Sequence, residues 1–268
     1  LSCISSPAKC IINQQSPSLI SMKFLTQNKI RTLIWVFLSK IFYRYADNLI
    51  CVSTFINDLI TWVPEYRKMV IYNPCPNTLY ESKYTSEIKL SKKYKYIVGI
   101  GRIIKQKGFD LLIEAFSILE EKNPEWRLVI VGNGDSLNQL KEYSSSIGLG
   151  NKIYFYNMIS NPFPLLIQCQ IFILPSRWEA FGNVIIEAMS LGLPVICFDI
   201  PGGPREIIND NKNGLLAEAE NPLSLSKAIE KLINKKDLRN KIKLQALKTT
   251  EKFSIENIGK KWNEILSY

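Results

Sequence analysis

From residue 94 onward the chain alternates between two hydrophobic patterns. Short continuous apolar runs occupy 96–100, 127–131, 153–156, 171–174 and 195–198. Each is closed by a glycine, a proline or a polar residue, as expected of strands buried on both faces. After the first run Phe109, Leu112, Phe116 and Leu119 recur at helical spacing. Further helices are predicted over 136–147, 184–191, 223–233, 237–252 and 255–266. Strands alternating with helices imply an α/β fold, a Rossmann-like parallel sheet with helices on both faces. Ligands of such sheets bind beyond the carboxyl ends of the strands. There the chain places Gly101-Arg102, Gly132-Asn133-Gly134, Ser176-Arg177-Trp178-Glu179 and Asp199-Ile200-Pro201-Gly202-Gly203.

The first 75 residues are less regular. Residues 46–53 read as a short strand ending at Ser53, a helix N-cap. Asn73-Pro74-Cys75-Pro76 is turn-rich and marks a boundary. Three segments result: 1–75, a nucleotide-binding unit over 76–252, and a terminal helix over 253–268. Residues 31–44 set Trp35, Phe37, Leu38, Phe42 and Tyr43 among Arg31, Lys40 and Arg44. Such a helix either lies on a membrane surface or packs on its own domain, and packing is the preferred reading.

Composition narrows the function. The formal charge is +10, which suits an anionic partner, although lysines and arginines spread along the chain also serve as solvated surface. Nucleic-acid binding would need interleaved basic and aromatic residues, seen only in 31–45. Histidine is absent, which excludes Cys/His nucleophile pairs and His-containing zinc fingers. Cys3, Cys10, Cys51, Cys75, Cys169 and Cys197 include no C-x-x-C pair. Cys169 and Cys197 lie in apolar runs, and a reducing cytoplasm is expected. Neither a signal peptide nor a membrane-spanning helix is predicted.

Two stretches carry candidate chemistry. Gly101 lets the backbone turn at a strand end, and Arg102 and Lys107 can converge beside it on a diphosphate. Taken alone, both could equally be ordinary surface cations. The dinucleotide fingerprint G-x-G-x-x-G is not met, which disfavours an oxidoreductase. In the second stretch Glu179 precedes a helix opened by Gly182 and Asn183, whose free N–H groups favour an anion. Glu187 follows inside that helix between apolar neighbours, where a carboxylate needs a partner or a ligand. In the turn at 199–206, Pro204 and Glu206 suit the start of a helix, and Gly202 and Gly203 could turn backbone amides toward a ligand. No D-x-D pair is present, and neither metal nor cofactor is predicted.

These stretches, with "RLVIVGNGDSLNQL" and "NGLL", resemble the C-terminal domain of retaining GT-B-fold glycosyltransferases of family 4. The glutamate pair is similar to that family's E-x7-E motif. The resemblance runs from about residue 46 to the C-terminus. It implies a transferase that moves a sugar from a nucleotide sugar, UDP-linked, to a glycan or lipid-linked acceptor at the inner face of the membrane. Arg102 and Lys107 would clamp the diphosphate, Glu179 would bind the sugar and Glu187 the ribose. Gly101, Phe181, Gly182 and Asn183 would face the donor, with Asn157 and Met158 near the base. The "PGGPREII" variant is similar to enzymes building surface polysaccharides. Much of the family's N-terminal domain is expected to be missing. A nucleotide-sugar epimerase of the same fold and a non-catalytic nucleotide-sugar-binding module are the rival readings.

Overall fold

The computed structural model describes residues 10–15, 29–76 and 88–267. Cys3 and the side chains of Arg31 and Trp35 lie outside the described residues. Two parallel sheets are built. The first, ordered β1-β2-β3, uses β1 (Ile11–Gln14), β2 (Asn48–Cys51) and β3 (Lys68–Val70). The second has six strands in the order β6-β5-β4-β7-β8-β9. These are β4 (Lys95–Ile100), β5 (Trp126–Val131), β6 (Ile153–Tyr156), β7 (Ile171–Leu174), β8 (Val195–Phe198) and β9 (Leu215–Ala217).

All pairings of the larger sheet are parallel, with Val98 opposite both Val129 and Phe172. Its strands are buried on both faces, so alternate residues serve two different cores. Val98, Val129, Phe172 and Cys197 belong to one hydrophobic cluster, and Ile97, Leu128, Ile173 and Ile196 to the other. The second cluster is closed by α3 (Phe109–Ser117) and α8 (Pro222–Asn234), the first by α6 (Asn183–Ser190), backed by α9 (Lys236–Thr250). The chain numbering reverses between β4 and β7, so the doubly wound switch point lies there.

The smaller unit carries α1 (Lys29–Phe42) and α2 (Thr54–Leu59). The terminal helix α10 (Ile255–Leu266) packs on it, with Ile258 and Ile265 clustering with Ile50 and Ile71. Tyr72, Phe181 and Phe253 form an aromatic cluster where the units meet, with ring centroids 5.4–5.6 Å apart.

The strand runs and long helices fall within a few residues of their predicted positions. The expectation for 31–44 requires correction. Instead of packing its apolar side chains inward, α1 exposes Leu33, Ile34, Phe37, Leu38 and Phe42, Phe37 by 63%, and buries Ser39 and, just beyond its end, Tyr43. Val36 and Ile41 are half-buried beside Ser39, and the other described apolar side chains form a stripe left to solvent.

Candidate active site

The loop after β4, residues 101–108, and the loop after β7, residues 175–182, flank the switch point. An ion pair joins them: the Lys107 ammonium meets Glu179 Oε1. The same oxygen accepts a hydrogen bond from Ser176 Oγ at 2.8 Å, leaving Oε2 unbonded among the described residues. Glu179 is only 7% exposed. A carboxylate that buried is stable only when paired, and the lysine stem beneath it packs within 3.6 Å of where a Gly101 side chain would begin. Arg102, on the same loop, is exposed and unpaired among the described residues.

A second bridge fixes the two loops. Arg177 forks onto Asp110, at the start of α3, with contacts of 2.9 and 2.7 Å, and reaches Glu220 at 3.0 Å. Burial pushes the Asp110 carboxyl up, but hydrogen bonds and charge from Arg177 outweigh it and hold the group below its ordinary range. The Arg177 amide also donates to the Gln106 carbonyl at 2.8 Å, and the Gln106 side chain returns a bond to the Trp178 carbonyl at 3.0 Å. Lys107 and Glu179 are thus held on loops stitched together on both sides. Neither Ser176 nor the Arg177 fork was singled out as a site feature in the sequence. Their signal lay only in a polar tetrad at a strand end.

Helix α6 opens at Gly182, in the left-handed region with φ 89°, and has no side-chain cap. Its first N–H groups therefore stand ready for an anion. Asn183 is exposed there and accepts a 2.9 Å hydrogen bond from Asn73 of the smaller unit. One turn on, burial alone raises the Glu187 carboxyl above its ordinary value, with no ion pair or hydrogen bond among the described residues to offset it. Asn157 and Met158 are exposed after β6, the Met158 amide 3.4 Å from Asn133 Oδ1.

One sequence expectation is revised here. The Phe181 ring does not face the crevice; it is 2% exposed, stacked on Tyr72 at an interplanar angle of 19°. Glu206 lies in the first turn of its own helix, α7 (Gly203–Ile207), and its carboxylate also reaches the smaller unit, bonding the Thr54 and Phe55 amides. Gly202 and Gly203 serve close packing: a Cβ on Gly203 would lie 1.5 Å from the Phe181 carbonyl oxygen.

Residues 81–249, well over half of the chain, match the family described as glycosyl transferases group 1. The chain belongs to that family.

This group 1 glycosyl transferase chain is similar to an uncharacterized glycosyltransferase of Methanocaldococcus jannaschii. It is 32% identical over 266 residues, with 85% of this chain and 65% of that protein covered. The N-acetylgalactosamine-N,N'-diacetylbacillosaminyl-diphospho-undecaprenol 4-alpha-N-acetylgalactosaminyltransferase of Campylobacter jejuni is 28% identical, covering 94% of this chain and 68% of that protein. Among solved structures, Anabaena HepE in complex with UDP and glucose superimposes with a TM-score of 0.81 at 22% identity, covering 97% of this chain and 71% of that one. Sucrose-phosphate synthase from Thermosynechococcus elongatus gives 0.85 at 19% identity, covering 98% and 68%. The fold is that of GT-B glycosyltransferases. This chain spans about half to two thirds of the length of the first two curated relatives.

Proposed function

We propose that the whole protein is a retaining family 4 hexosyl- or N-acetylhexosaminyltransferase that uses a UDP-linked donor and a glycan or lipid-linked acceptor. The observation carrying this reading is the Lys107–Glu179 pair placed across the switch point of a doubly wound sheet, beside the uncapped start of α6. Arg102 and Lys107 would hold the diphosphate as the bond from the sugar's anomeric carbon to the leaving oxygen breaks. The electron pair departs with the diphosphate, and stabilising that charge is the principal electrostatic task of the site. The acceptor hydroxyl forms the new bond and passes its proton to an oxygen of the departing diphosphate. No metal is needed in this scheme, because the two cations supply the positive charge. Glu179, released from Lys107 by the diphosphate, would turn its oxygens to the sugar hydroxyls, and Glu187 would take the ribose hydroxyls. Asn157 and Met158 would border the base. HepE, solved with UDP and with UDP-glucose, supports the donor class.

Titration of the protein with UDP by calorimetry tests this. Saturable heat is expected in the wild type, and none at millimolar UDP would overturn the UDP-linked donor reading. The Glu187→Gln variant gives a result of mixed sign. A carboxyl raised by burial costs the fold stability as pH climbs through its folded pKa, so at neutral pH the amide removes that cost. We expect its melting temperature to rise by about 2–4 °C per kcal/mol recovered, while UDP affinity falls by about tenfold. Weaker binding without added stability would refute the isolated-carboxylate account.

The exposed stripe of α1, flanked by Lys40 and Arg44, supports peripheral contact with an anionic membrane on the cytoplasmic side, where a lipid-linked acceptor would be met. No helix of the described residues is long and apolar enough to cross a membrane. Co-sedimentation with anionic vesicles is expected, and it should be lost in a Phe37→Glu/Leu38→Glu variant. Retention of the variant on vesicles would remove this contact from the scheme.

A further inference from the structure

Helix α2 has six residues, too few to persist unaided, yet the N–H groups of its first three residues are all satisfied. Ser53 Oγ takes the Ile56 amide at 3.2 Å, and the Ser53 carbonyl makes the first regular helical bond, to the Asn57 amide at 3.1 Å. The acceptors for Thr54 and Phe55 come from far away in sequence. Glu206 Oε2 accepts from the Thr54 amide at 2.9 Å and Oε1 from the Phe55 amide at 3.0 Å. At the opposite end the buried Lys68 ammonium donates to the Asn57 and Ile60 carbonyls at 3.1 and 3.0 Å. A negative charge caps the N-terminus and a positive one the C-terminus, the arrangement the helix dipole favours. The positive cap belongs to the smaller unit itself. The negative cap belongs to the nucleotide-binding unit.

Glu206 is held for this task. Its backbone carbonyl accepts from Lys252 Nζ at 3.3 Å, where the chain crosses back between units. Its helix begins at Gly203, directly beneath the Phe181 carbonyl, and a Cβ on Gly202 would lie 2.4 Å from the Glu179 carbonyl and 3.2 Å from the Phe55 ring. The same short segment therefore touches the loop carrying Glu179 on one side and α2 on the other. Burial, and then the charge of Glu206, raise the Tyr72 phenol, so Tyr72 lies within the same electrostatic neighbourhood.

We propose that Glu206 is a positioning residue that latches the two units together by capping α2, and that it transmits occupancy of the nucleotide crevice across the interface. The latch follows from the contacts alone; its coupling to nucleotide rests on the donor reading given above. Any opening of the units strips the Thr54 and Phe55 amides of their acceptors. A ligand that steadies the 179–183 loop steadies α7 and Glu206 with it.

Amide hydrogen exchange on the full-length protein reads both parts. Without ligand, Glu206→Ala should speed exchange at Thr54 and Phe55 by about tenfold or more, leaving the amides of β4, β5 and β7 unchanged. Glu206→Asp, which keeps the carboxylate, should restore part of the protection. Unchanged exchange at Thr54 and Phe55 in Glu206→Ala overturns the latch. Exchange raised throughout the sheet in both variants marks a general folding role and overturns it too. With UDP bound, as shown by calorimetric heat, exchange at these two amides should slow in wild type but not in Glu206→Gln. Heat without slowing overturns the coupling and spares the donor site. No heat overturns the coupling together with the donor reading, while the ligand-free comparison still decides the latch.

Discussion

Lys107→Ala in the full-length protein is expected to cut sugar transfer by about 100-fold or more, and Arg102→Ala likewise. On the proposed reading, each substitution removes a cation from the point where leaving-group charge grows. The two variants should differ in stability. Arg102 is exposed and unpaired among the described residues, so its loss leaves the fold untouched. Lys107 neutralises a nearly buried carboxylate, and removing one partner of such a pair costs about 3–5 kcal/mol when burial is complete. That second cost can be separated. Lys107→Ala combined with Glu179→Gln removes the stranded charge, so thermal stability should recover while transfer stays lost. Steady-state turnover and melting temperature, measured side by side on the three proteins, check this. Normal turnover in either single variant would remove the diphosphate clamp from the scheme.

The second large effect comes from a residue with no functional group. Gly203→Ala should lower stability by about 1–3 kcal/mol, the usual cost of overpacking, and should lower turnover as well. The added carbon would lie 1.5 Å from the Phe181 carbonyl oxygen and 2.4 Å from its Cα. Backbone on both sides blocks relief by a rotamer change, so the segment from Glu179 to Asn183 must move. Gly259→Ala supplies the opposite sign. It lies in α10 with nothing within 4 Å of the new carbon, so it should gain about 0.5–1 kcal/mol. Thermal melts of both variants, with turnover of the first, settle the matter. A Gly203→Ala protein as stable and active as wild type would mean that the two loops are not in contact.

Much of this molecule could be read from its residues because parallel strands covered on both faces cannot hide: IVGI, LVIV and IFIL are unbroken apolar runs, each ending in a turn residue. Strand β9 lacked that length. Leu-Leu-Ala between Gly214 and Glu218 is too short to distinguish from a loop, and β3 is equally brief. The cations and acids of the crevice stood out because charge and glycine gathered at strand ends, where packing does not require them. What the sequence hid was pairing at a distance. Glu206 meets amides more than 150 positions away and Arg177 meets Asp110 at a separation of 67, and no local pattern encodes either. The Phe181 ring was misplaced for a related reason: the resemblance sets it beside the donor, and the partners that bury it, Tyr72 and Phe253, are brought in by the fold.

The resting contact between Lys107 and Glu179 has a consequence for discrimination on the proposed reading. A free monosaccharide diffusing into the crevice finds the acid already engaged and brings no negative charge with which to draw the lysine away. An intact donor brings its own anion, exchanges it for the carboxylate, and only then exposes the groups that grip the hexose. The empty protein is thereby screened against the abundant neutral sugars around it, without any wall built to exclude them.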